Sequence, residues 1–120
     1  MPQDRRIVMR RVYDAPGDAE GVRVLVDRLW PRGMTHAEVG EDIWAKDAAP
    51  SAELRTWFHS HPDQFDEFER RYRQELDDTG AAATLASQLK DAERITLLYA
   101  AKDSRLAHAR VLAEALDKEL

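Results

Sequence analysis

The chain has no cysteine, and that absence removes disulfides, thiolate metal sites and cysteine nucleophiles together. It is also compatible with a reducing compartment. Long apolar runs are missing as well. Nothing approaches the ~20 consecutive apolar residues that a membrane span requires, and the opening MPQDRRIVMRRV is charged throughout, without the apolar stretch of a secretory signal. A cytoplasmic protein with no membrane partner is therefore expected. Glycine and proline, five of each, are too scarce for a fibrous or low-complexity chain. No GxGxxG, Walker A, GxSxG or HExxH stretch occurs. A Rossmann dinucleotide site, a P-loop and a nucleophile elbow are thus unsupported, and no motif names a cofactor.

What is present describes a folded protein. Hydrophobic residues make up 43% and charged residues 34% of 120 positions. That length predicts a single domain over 1–120, large enough to bury roughly two-thirds of its unfolded surface. The net charge of −5 is unevenly spread: residues 33–93 carry six bases against fourteen acids, whereas residues 1–32 carry seven arginines against five acids. No helix gathers the Lys and Arg that a duplex binder collects on one face, so extended nucleic acid is not expected as a partner. A small anion held by a local arginine cluster remains open.

Strands and helices alternate along the chain. IVMRRV (Ile7 to Val12) and VRVLVD (Val22 to Asp27) read as strands around the turn-rich YDAPGDAEG, and RITLLYA (Arg94 to Ala100) has the apolar density of a buried strand. EDIWAK is ambiguous between a short strand that holds Ile43 and Trp44 and an ordered loop, and is read as the loop. Ser51 is expected to cap a short helix with Leu54, Trp57 and Phe58 on one face. A longer helix is predicted from Pro62, with Phe65, Phe68, Tyr72 and Leu76 recurring at three- and four-residue intervals. Leu85 and Leu89 mark another, and SRLAHARVLAEALDKEL closes the chain with Leu106, Ala109, Ala113, Leu116 and Leu120 inward. This order predicts an α/β fold, a small and largely parallel sheet with helices packed on it, in which Arg94 to Ala100 is central. The first two strands could alternatively pair as a hairpin.

Ligands of such sheets bind at the carboxyl ends of strands. Two segments reach that position: DRLWPRG after the second strand and AAKDS after the third. Arg28 and Arg32 have planar forks suited to phosphate or carboxylate, and Trp30 offers a face on which a ring could stack. The plain alternative is an internal ion pair with Asp27 or Asp103. Lys102 would add a cation. Asp103 and His108 are the candidate proton carriers, His108 because histidine titrates near neutral pH, although Asp103 could simply cap the last helix and His108 could be structural. Trp44 with Lys46, and Arg55 with Trp57, repeat the pairing of aromatic and cation; for these, a core Trp beside a surface cation is the simpler reading. His59, Ser60, His61 and Asp63 flank Pro62 as a turn would, and no metal is expected there.

VLVDRLWPRGM, then IWAKDAAPSAELRTWF, then a helix of the form FxxFxxRYRxEL, then TLLYAAKD together resemble the YeaO-like family of small bacterial proteins, a domain of unknown function. The resemblance covers nearly the whole chain. It implies a compact α/β fold and no established activity, with a transcription-regulator label attached to some relatives. One departure is visible, since the family pattern leads to an Asn-His pair and this chain has Ala107 before His108.

Three functional readings compete. The leading one is a small-anion site, open to enzymatic action, in which Arg28, Arg32 and Lys102 neutralise a phosphate, Trp30 stacks on an attached ring, and Asp103 or His108 moves a proton. The second is a binding module for a nucleotide or nucleic-acid end that uses the same residues without chemistry. The third, transcription regulation, is opposed by the acidic centre and the lack of a basic recognition helix.

Overall fold

The structure, a computed structural model, describes residues 6–14, 21–100 and 108–120. Among these residues, four strands form one sheet: β1 (Arg6–Arg11), β2 (Val22–Leu25), β3 (Ile43–Trp44) and β4 (Arg94–Tyr99). Their order is β1-β4-β2-β3, and every pairing is parallel. β4 thus lies inside the sheet between β1 and β2, as its apolar density predicts. All of Ile95 to Tyr99 is buried, because a strand in a parallel sheet is covered on both faces. The hairpin alternative is not adopted. β1 and β2 each pair with β4 instead of with one another.

Alternation along the strands separates two cores. Val24, Val26, Ile95, Leu97 and Tyr99 face one side. There they meet α2 (Ala52–Ser60), α3 (Phe65–Thr79), α4 (Ala81–Gln88) and α5 (His108–Glu119), through residues that include Leu54, Phe68, Tyr72, Leu85, Leu112 and Leu116. Leu25 and Leu98 point the other way and pack with Val12, Val39, Trp30, Met34 and Trp44. α5 lies against β1 and β4 as well as α3 and α4. Arg73 ties α3 to α5 by bonding Glu69 at 2.9 Å and Glu114 at 2.7 Å.

Several boundaries differ from expectation. Ile43 and Trp44 form a two-residue strand instead of a loop, because Ala45 N–H donates to the Leu25 carbonyl at 2.8 Å and Asp42 N–H to the Arg23 carbonyl at 2.7 Å. Pro62 and Asp63 occupy a turn, and α3 begins three residues after the proline, at Phe65. A four-residue helix that periodicity does not reveal, α1 (His36–Val39), is closed at its start by a capping box between Thr35 and Glu38. Ser51 caps α2 as expected, accepting from Leu54 N–H. Leu106 lies outside the described residues, while Ala109 and Leu116 are buried.

Gly21 is required by position. Its φ is +69°, and a Cβ built there would stand 2.2 Å from the Arg94 carbonyl oxygen. The backbone at Gly21, where β2 is entered, therefore passes too close to the start of β4 for any side chain.

Candidate functional site

Backbone pairing continues past the strand ends and gathers three of them. Val12 N–H donates to the Tyr99 carbonyl at 2.7 Å, and Val26 N–H to the Leu98 carbonyl at 3.0 Å. Asp27, the next residue after Val26, extends this junction through its side chain. Its Oδ2 accepts from Ala100 N–H at 2.9 Å, and its Oδ1 lies 3.2 Å from His108 Nε2. The same Nε2 donates to the Val26 carbonyl at 2.8 Å. A carbonyl can only accept, so Nε2 bears the hydrogen and Nδ1 is the ring atom left for other work. Asp27 and His108 together link the ends of β2 and β4 to α5.

The segment Arg28 to Arg32 runs along one side of a cleft of about 360 Å³, whose walls also include Tyr13, Asp27, Pro50, Arg55 and His108. Arg28 is part-buried and engaged: Nε donates to the Pro50 carbonyl at 3.1 Å and Nη2 to the Ala49 carbonyl at 3.2 Å. Arg32 and Arg55 are exposed, and neither side chain is paired with any described residue. Trp30 is anchored by its indole N–H, which donates to the Met34 carbonyl at 2.7 Å. Its rings lie 4.2 Å from His36 and 5.3 Å, edge-on, from Trp44. The indole of Trp44 in turn donates to the Asp27 carbonyl at 2.8 Å.

The sequence candidates therefore divide. Arg28, Trp30, Arg32 and His108 share one cleft, and Arg55 joins them from α2. Arg55 and Trp57 do not act as a pair. Trp57 lies instead between His61, stacked at 4.6 Å, and Arg71, whose guanidinium is 4.2 Å from the ring. Lys46 caps the Trp44 ring at 5.0 Å, and Trp44 lines a separate cleft against α4. Lys102 and Asp103 lie outside the described residues. Asp27 pairs with His108 instead of with Arg28 or Arg32. Tyr13 was not among the candidates; its hydroxyl donates to the Arg32 carbonyl at 3.3 Å, and its signal was its place two residues after β1.

Behind the cleft the core is closed. Tyr72 is fully buried and its hydroxyl donates to the Ala48 carbonyl at 2.5 Å, so it ends inside the protein and not at the rim. Burial pushes this phenol far above its ordinary range, and the negative charges of Glu75 and Asp27 reinforce the shift. Its ring is 6.1 Å from that of His108, edge-on. The hydroxyl is thus held neutral, as a donor.

With this geometry established, comparison gives a consistent placement. The family model described as the inactive DUF488-N3 subclade matches residues 6–120. The chain belongs to that family. A relative from Mycobacterium tuberculosis, an uncharacterised protein, is 42% identical over 117 residues, covering 98% of each chain. An uncharacterised protein of Mycobacterium bovis matches to the same extent. The Escherichia coli protein YeaO is 38% identical over 108 residues, covering 90% of this chain and 94% of its own. The YeaO-like resemblance is thereby established. No solved structure matches. Among the described residues of this DUF488-N3 chain, no helix is long and apolar enough to cross a membrane.

Proposed function

We propose that the cleft at the carboxyl ends of β1, β2 and β4 binds a small phosphate-bearing anion without transforming it. The observation that carries this reading is electrostatic. Arg28, Arg32 and Arg55 line one cleft, and none of them forms an ion pair with a described residue. The one carboxylate among the described residues of its wall, Asp27, is occupied by the Ala100 N–H and by His108. Uncompensated guanidinium groups in a concave site favour an incoming anion, and phosphate suits their planar forks. Their spacing in a local cleft fits a small molecule better than a duplex. We place this binding in the cytoplasm, the compartment that a cysteine-free chain fits.

The description of the subclade as inactive supports holding over turnover. One observation favours the alternative. Asp27 orients the imidazole of His108, which is how a general base is held. Proton transfer through Nδ1 is the second reading, and Lys102 and Asp103 would contribute to it.

Calorimetric titration with inorganic phosphate tests the first. Arg32→Ala and Arg55→Ala should each weaken binding roughly ten-fold or more, as loss of a charge-assisted hydrogen bond does. Unchanged affinity in both variants would refute the site. Turnover of a bound phosphomonoester that disappears in His108→Gln would replace the binding reading with the catalytic one.

A further inference from the structure

The anion cleft has a neighbour. A second cleft of about 440 Å³ lies against the face of α2 and shares Pro50, Arg55 and His108 with the first, while Thr56, Phe58, His59, Ser60 and Phe68 complete it. Arg55 therefore lines both the anion cleft and this second, aromatic chamber. The floor of that chamber is ordered. Phe58 and Phe68 stack with centroids 4.5 Å apart and an interplanar angle of 29°, Phe68 being buried and Phe58 only partly so. Around it stand the polar side chains of Thr56, His59 and Ser60, all exposed.

Trp30 is a poorer platform. Its N–H is committed to the Met34 carbonyl, and its rings pack against His36 and Trp44. We infer that the ligand is a phosphomonoester of the nucleoside monophosphate class. Its phosphate lies among Arg28, Arg32 and Arg55, and its base enters the α2 chamber against Phe58 instead of stacking on Trp30. The inference rests on the anion reading above and extends it with chemistry. A flat heterocycle meets an aromatic floor, its polar edge meets hydroxyl and imidazole groups at the rim, and Arg55 bridges the two halves of the molecule. Each cleft separately falls in the ~300–1,000 Å³ range of small-molecule sites.

The test titrates the full-length protein with three probes, inorganic phosphate, AMP and adenosine, and tracks backbone amides by NMR. AMP should bind roughly 5- to 150-fold more tightly than phosphate, the range that stacking one base supplies. AMP and adenosine should shift the amides of Phe58, His59 and Ser60, and phosphate should leave them in place. Phe58→Leu should remove most of the advantage of AMP over phosphate. Two results would overturn the inference while leaving the anion site intact. One is AMP binding no tighter than phosphate, with both weakened by Arg55→Ala. The other is AMP shifting Trp30 and Met34 in place of the α2 amides. Failure of phosphate itself to bind would overturn the anion reading, and the chamber assignment with it.

Discussion

Replacing Asp27 with asparagine should destabilise the protein out of proportion to the size of the change. The carboxylate accepts from Ala100 N–H at 2.9 Å, and its other oxygen lies 3.2 Å from His108 Nε2. Both side chains are 16% exposed, so solvent screens this pair less than it screens a surface ion pair. Asparagine keeps one acceptor for Ala100 N–H. Its amide group then faces His108 Nε2, and donor meets donor. The imidazole keeps the Val26 carbonyl at 2.8 Å, which limits the damage. A hydrogen bond to a charged group is worth ~1.5–3 kcal/mol, and the donor–donor contact created at His108 adds to the loss, so about 2–3 kcal/mol is expected. For a chain of this length the Tm should fall by roughly 6–15 °C. Urea denaturation monitored by circular dichroism measures the change as a lower midpoint at unchanged slope. Combining Asp27→Asn with His108→Ala should give less than the sum of the single losses, by ~0.5 kcal/mol or more. A loss below ~0.5 kcal/mol for Asp27→Asn, no more than an ordinary surface substitution causes, would refute the tie between β2, β4 and α5.

Other variants separate groups that also hold the fold from groups that only face the ligand. Arg28→Ala removes the donors to the Ala49 and Pro50 carbonyls and should cost ~1–3 kcal/mol, whereas Arg32→Ala should stay within ~0.5 kcal/mol; equal denaturation midpoints for the two would contradict this. Tyr72→Phe strands the Ala48 carbonyl, at a cost of ~1–3 kcal/mol. Because the Tyr72 phenol is raised in the folded state, its contribution is complete below the ordinary value of ~10 and declines as pH climbs past it. Ultraviolet titration of the wild type should show this group ionising only as the protein unfolds; a normal alkaline transition in the native state would be the opposing result. Glu67 is held down to about 2 by hydrogen bonds from Arg70 and then Arg71. Its contribution is therefore present above 4.5 and lost as pH falls toward 2. Carboxyl NMR should find this low value at low salt and an upward return in strong salt, and an ordinary value at low salt would refute it.

The parts of the fold that the sequence displays are those governed by periodic burial. Phe68, Tyr72 and Leu76 announce α3, and the unbroken apolar run Ile95 to Tyr99 announces an interior strand. Local chemistry was legible as well, as with Ser51 at the start of α2. Thr35 and Glu38 carry a capping-box spacing that four residues of helix with one buried valine leave without periodic support. β3 is two residues long and exists through hydrogen bonds to β2, information that no local window contains. The location of the cleft could be read from DRLWPRG at a strand end. The direction of its side chains could not. Arg28 reaches two carbonyls more than twenty residues away, Trp30 turns to Met34, and Asp27 selects His108 at the start of α5. Long side chains obey tertiary packing, and residue type alone does not set their partners.

The strand order has a consequence for how the molecule is made. β4 supplies the pairing surface for both β1 and β2, with Arg6 opposite Arg94 and Val22 opposite Ile95. As the chain leaves the ribosome, β1 emerges first and has no sheet partner among the described residues until the segment after α4 is synthesised. Val8 and Met9, which remain part-exposed even in the finished fold, are unprotected throughout that interval. Closure across most of the chain must precede the contacts that reward it, which makes assembly slow and late. A pause in translation after α4, or a truncation there, would leave α2, α3 and α4 facing a sheet without its centre, a state in which unpaired strand edges join other chains.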